Sequence, residues 1–153
     1  MGAPTESERA DMALFVAGNR ARMMALYEAR AAGRWPFCWP GLLAPQAWFL
    51  YRKMYVWAAL VSAGPFLIAY FPQLAILSWS ASLAGALGLR LYFDAAEKTI
   101  AGIRAASGDD AEARVLIARA GGVSRIGAVI GLAFGFSAFV LSLKAGAPGF
   151  FGR

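Results

Sequence analysis

Hydrophobic residues are laid out in two different ways along this chain. From Glu8 to Ala32 they recur three and four apart, at Met12, Phe15, Val16, Met23, Leu26 and Tyr27, which predicts one amphipathic helix with a single apolar stripe. Arg9, Arg20, Arg22 and Arg30 occupy the rest of its surface, and Gly33 stands just past its end as a stop signal. Such a stripe serves equally to lie on a membrane surface or to pack on the rest of the protein. From Trp39 onward the apolar residues come in unbroken runs instead. Trp39 to Tyr51 is a run of 13 residues, too short for a hydrocarbon core that needs about 20. Pro45 interrupts it, and it reads as a re-entrant or interfacial segment.

Three further runs have the length of membrane spans. Met54 to Phe71 contains 18 residues without a charge, with Pro65 expected as a kink, and Pro72 and Gln73 make a tight turn after it. Leu74 to Phe93 is the second span, with Arg90 near enough to its end to reach the interface. Ile126 to Leu143 is the third, again 18 uncharged residues. Between the second and third, Asp94 to Arg125 is polar. Residues 94–106 continue a helix with Ile100 and Ile103 on one face. Ser107, Gly108, Asp109 and Asp110 form a break, and Glu112 to Ala120 make a short helix ended by Gly121 and Gly122. The predicted fold is an all-α integral membrane protein with about three transmembrane helices, one re-entrant or interfacial aromatic segment and amphipathic cytoplasmic helices. Its parts are an N-terminal helix at 1–38, a membrane domain at 39–143 (39–51, 54–71, 74–93, 94–125 and 126–143) and a short tail at 144–153.

The boundary between the first two apolar runs is the most informative point. Arg52 and Lys53 stand there within a cluster of rings, Trp35, Trp39, Trp48, Tyr51 and Tyr55. Cations and amphipathic rings are most stable where hydrocarbon meets the headgroup layer, so these seven residues are read as a membrane-interface anchor. A single span centred on Arg52 and Lys53 would instead place two cations at the bilayer midplane, at a cost of about 5–7 kcal/mol.

Composition agrees with the pattern. The chain has 153 residues, 59% of them hydrophobic and only 16% charged, and its mean hydropathy is +0.54. A net charge of +6 would suggest nucleic acid in a soluble domain, but these cations bracket apolar runs, so anionic lipid headgroups are the expected partner and nucleic acid is not. Three spans would place Arg9, Arg20, Arg22, Arg30, Arg34, Arg52, Lys53, Arg90, Lys98, Arg104, Arg114, Arg119 and Arg125 on one side, and only Lys144 and Arg153 on the other. Thirteen against two orients the N-terminus to the cytoplasm and the C-terminus outside. Met1 to Asp11 is polar and acidic, unlike a secretory leader.

Catalytic chemistry lacks its usual parts. The chain has no histidine and one cysteine, Cys38, and its nine carboxylates all lie outside the predicted spans. Asp109 and Asp110 sit where a helix starts, and acids there complement its dipole. No catalytic residue, metal ligand set or cofactor is predicted. The second feature that stands out is a ridge of small residues, Gly127, Gly131 and Gly135 at intervals of four, with Gly85 on the small side of the second span. Glycines so spaced let helix backbones approach closely, within one chain or between two.

WFLYRKMY at Trp48 to Tyr55, preceded by Phe37, Cys38 and Trp39, resembles the hallmark of the DUF2628 family of small bacterial membrane proteins. Cys38 stands where that family usually has asparagine, and Pro40 and Gly41 depart from the pattern that follows. Phe15, Gly18, Asn19 and Tyr27 are similar to the family's upstream helix, and LRLY at Leu89 to Tyr92 and GGVS at Gly121 to Ser124 to its later signatures. The resemblance implies a bacterial inner-membrane protein with several spans, and no reaction. The sequence therefore leads to a non-enzymatic inner-membrane protein acting through helix–helix association, as an accessory subunit of a membrane complex or as a small oligomer. The alternative is transport or lipid handling, with an anionic headgroup or solute bound near Arg52 and Lys53.

Overall fold

The computed structural model of the chain describes residues 4–16, 19–34, 36–70 and 83–146, the side chains at 64–70, 138–139 and 141–146 excepted. Gly18, Trp35, the Pro72–Gln73 turn, residues 74–82 of the expected second span and the tail from 147 lie outside the described residues. All regular structure within them is α-helical: α1 (Glu6–Val16), α2 (Arg20–Ala31), α3 (Trp39–Leu43), α4 (Pro45–Tyr51), α5 (Tyr55–Tyr70), α6 (Gly88–Ala106), α7 (Asp110–Ala120) and α8 (Arg125–Gly146). The chain divides into two compact units, one of Met1–Phe37 with Leu89–Val123, the other of Cys38–Gly88 with Ser124–Arg153. All nine acids fall in the first, against ten cations, whereas the second holds five cations and no acid. We call them the polar and the apolar unit.

In the polar unit the expected helix at 8–32 is two helices. Asn19 takes a left-handed conformation (φ 47°) and its carbonyl accepts the Met23 N–H, so the chain turns there and α2 starts afresh. Asparagine visits this region more readily than most residues, which is why the break falls on it. The start of α1 is a capping box: the Thr5 hydroxyl accepts the Glu8 N–H at 3.3 Å while the Glu8 carboxylate accepts the Thr5 N–H at 2.7 Å. Gly33 ends α2 as predicted, at φ 76°, with the Arg34 N–H on the Ala29 carbonyl and the Gly33 N–H on that of Arg30. The apolar stripe goes inside. Met12, Phe15, Val16, Met23 and Tyr27 are buried together with Leu89, Tyr92, Phe93 and Ala96 of α6 and Ala113 and Ile117 of α7. Phe15 meets Tyr92 at 6.1 Å between ring centroids and Tyr27 meets Phe93 at 5.4 Å. Leu89 to Phe93, expected to close the second span, thus belong to this core.

The apolar unit is built on α4. The predicted segment 39–51 is two short helices rather than one, because Pro45 ends the first and starts the second at a position where its missing N–H costs nothing. Pro45, Gln46, Ala47, Trp48 and Phe49 are all buried, and α4 packs against both α5 and α8. α5 runs without interruption through Pro65 for 16 residues, up to the last described residue before 71. Among the described residues one stretch is long and apolar enough to cross a membrane; it lies within Asp110–Ser137, with a mean hydropathy of 1.5 and only 22% of its apolar window buried. The chain breaks there between Gly121 and Ser124, so the crossing part is α8, whose 22 residues rise about 33 Å. Of the three expected spans, one is found among the described residues, and residues 74–82 of the second lie outside them.

Candidate functional site

The Arg52–Lys53 pair sits in a helix-ending turn whose geometry follows from the local sequence. The Arg52 N–H bonds the Trp48 carbonyl at 3.0 Å, the Lys53 N–H that of Leu50 at 3.1 Å, and the Met54 N–H that of Phe49 at 2.8 Å. This is the glycine-type helix stop, yet its left-handed residue is Lys53, at φ 60°. Met54, buried, folds back under the turn and α5 starts at once. The Arg52 guanidinium lies 5.5 Å from the Tyr51 ring centroid.

The start of α8 is fastened to the same turn. The Ser124 N–H donates to the Tyr51 carbonyl at 2.8 Å, and the Ser124 hydroxyl accepts the Gly127 N–H at 3.0 Å as a helix cap. From there α8 runs back along α4. A side-chain carbon added to Gly127 would lie 2.6 Å from the Leu50 carbonyl oxygen, one on Gly131 would strike the Ala47 backbone, and one on Gly135 would lie 3.4 Å from the Gln46 amide oxygen. The glycine ridge is thus filled by α4 of the same unit. Gly85 packs in the same manner on the Gly41 backbone.

The predicted interface rings separate. Trp48 is buried, edge-on to Phe49 at 5.2 Å and packed against Gly88, where a side-chain carbon would lie 2.7 Å from the indole. Phe49, fully buried, stacks on Trp57 at 6.3 Å. Tyr51, Arg52 and Lys53 are half-buried, whereas Trp39 and Tyr55 are 64% and 59% exposed. Cys38 is buried, its N–H directed to the Ala86 carbonyl and its sulfur beside Gly41. Outward from the turn the exposed side chains are large and apolar: Val56 and Leu60 on α5, Ile126, Val129, Leu132 and Phe136 on α8. Trp48, Phe49, Met54 and Val61 are inside with small residues and Gln46, while the outer faces of α5 and α8 carry further large apolar side chains.

The polar unit carries a different site, an open cleft of about 910 Å³ between α1, α2, α6 and α7. Its walls are cross-linked by ion pairs that no short motif announces. Arg104 forks onto Asp11, Nη2 and Nε reaching its two oxygens at 2.7 and 2.8 Å, and also pairs with Asp110, which Arg114 approaches from the other side at 3.4 Å. Arg30 spans Glu97 at 2.7 Å and Asp94 at 2.5 Å. The hydrogen bond to Asp11 is the main reason that the Arg104 pKa is raised. Burial by itself would lower that of Arg30, but its hydrogen bond to Glu97 and the charges of Glu97 and Asp94 outweigh it and raise the value. Burial, reinforced by Glu97, pushes the Tyr27 phenol above its usual value. The partners are 64 and 93 positions apart in the chain, which put them beyond pattern reading. Among the described residues no group of three His, Cys, Asp or Glu is placed to hold a metal ion.

Comparison with protein-family models, with curated proteins and with solved structures finds no match.

Proposed function

We propose that this chain is a non-enzymatic integral membrane protein that acts by association, its apolar unit set in the bilayer and its polar unit held in water as the part that a partner meets. The observation that carries the reading is the outer face of the apolar unit. Ile126 (76% exposed), Val129 (68%) and Phe136 (69%) face outward while the glycines of α8 are turned onto α4. In water such a surface would cost about 25 cal/mol for every Å² left exposed, and in lipid it costs nothing. Asp11, Asp94, Glu97 and Asp110 are engaged by arginines that tie the helices of the polar unit together, which supports a structural use of those groups rather than a catalytic one. The resemblance to the DUF2628 proteins at WFLYRKMY points the same way, to a bacterial inner membrane. Because α4 occupies the Gly127–Gly131–Gly135 ridge, docking onto a partner falls to other surfaces.

The test is extraction of the tagged protein from its own membrane. Resistance to alkaline carbonate with release by mild detergent, together with a stoichiometric companion seen by mass spectrometry, is the expected result. Release by carbonate would overturn the membrane reading. Purification without any companion would overturn association.

A further inference from the structure

We infer that Arg52, Lys53 and Arg125 form one surface for the phosphate headgroups of anionic phospholipid, at the end of the apolar unit where α5 and α8 both begin. The inference rests on the membrane reading above and adds the lipid class and the residues that select it. The Ser124–Tyr51 hydrogen bond brings Arg125, exposed, to the turn that carries Arg52 and Lys53, 72 positions earlier in the chain. The N-terminal ends of α5 and α8 both lie at this place, and their positive ends outnumber the one C-terminal end there, that of α4. The apolar unit has no acid in its sequence, so five of the six net positive charges of the chain belong to it.

Two further observations select lipid over a soluble anion. Immediately beyond the cations stand Tyr55, Val56 and Ile126, at 59%, 72% and 76% exposure, so a phosphate held here would have its acyl chains laid along an apolar wall. Lys53 also occupies a left-handed position that glycine would take at lower cost. Strain of this kind collects at functional sites, and here it falls on a cation in a turn that a neutral residue would close better.

The test uses the full-length protein reconstituted in vesicles of phosphatidylcholine alone or mixed with phosphatidylglycerol, then extracted in neutral detergent and weighed with its retained lipid by native mass spectrometry. The wild-type protein should insert into both and retain phosphatidylglycerol over phosphatidylcholine, with a preference that falls as salt is raised. Removing the exposed Arg125 together with the half-buried Arg52 and Lys53 should lower that preference by on the order of 100-fold, so R52Q/K53Q/R125Q should retain the two lipids almost equally while still inserting. R125Q alone, at an exposed position that cannot unfold the turn, should lower it about fivefold, and the charge-conserving R52K/R125K should restore it. Insertion of the wild-type protein without any headgroup preference, or a preference untouched in the triple variant, overturns the inference and leaves the membrane reading standing. Failure of the wild-type protein to insert at all overturns both.

Discussion

Gly131 of α8 rests directly on the backbone of Ala47 in α4, so close that a side-chain carbon on Gly131 would overlap the Ala47 Cα and N. The contact is backbone against backbone, which no rotamer change can relieve. Gly131→Leu should therefore cost at least about 1–3 kcal/mol and separate α8 from α4. Thermal unfolding in detergent, or proteolysis between 121 and 125, reads the loss. Gly102, on α6 with nothing within 4 Å, is the contrasting case: Gly102→Ala should stabilise its helix by about 0.5–1 kcal/mol. Equal effects of the two substitutions would contradict the packing described.

Lys53→Gly should raise stability and lower function together. Relief of the left-handed lysine is worth about 1 kcal/mol. A higher melting temperature with weaker retention of phosphatidylglycerol is the expected pair of results. A drop in stability would show that the lysine side chain, rather than the backbone, holds the turn.

Asp11 is 5% exposed and takes both hydrogen bonds of the Arg104 fork, joining α1 to α6 within the polar unit. Asp11→Ala should cost about 1.5–3 kcal/mol, because charged hydrogen bonds are lost and a guanidinium loses its main partner. The double variant with Arg104→Ala should be less damaging than the sum of the two single ones. Strict additivity in chemical denaturation would dismiss the coupling.

The α1 cap makes a prediction in pH. Hydrogen bonds from the Thr5 N–H and hydroxyl hold the Glu8 carboxyl below its ordinary value of 4.5. Its contribution is then complete above that value and disappears as pH falls through the lower, folded one. The protection of the amides in the first turn of α1, relative to their intrinsic exchange rate at each pH, should therefore fall on acidification from pH 5 to about pH 3 in the wild-type protein. In Thr5→Ala, which should cost about 1 kcal/mol of helix stability, the first turn should show the same low protection at both pH values.

Much of the local structure was legible in the residues themselves. Gly33 as a helix stop, the break before Asp110, the end of the following helix at Ala120 and the start of α8 beside Arg125 are all short-range events, decided by backbone strain and hydrogen bonds within one turn. The split at Asn19 was missed because the apolar stripe keeps its three-four spacing across it, and periodicity alone does not register one left-handed residue. The direction in which Trp48 points was equally hidden. An indole beside two cations suits an interface, and only the glycine opposite, Gly88, shows that this one has a slot to fill.

What the sequence by itself determined is the all-helical character, the apolar runs and the placing of every acid outside them, because composition and spacing are properties of neighbours along the chain. Tertiary structure decided the rest. It gave Leu89 to Phe93 to a polar unit's core instead of a span, turned the glycine ridge of α8 onto α4, and brought Arg125 to Arg52 and Lys53 through one hydrogen bond between Ser124 and Tyr51. Each of these joins residues dozens of positions apart, and which of many apolar or small faces meet is settled by the fit of whole helices, a quantity no local window of sequence contains.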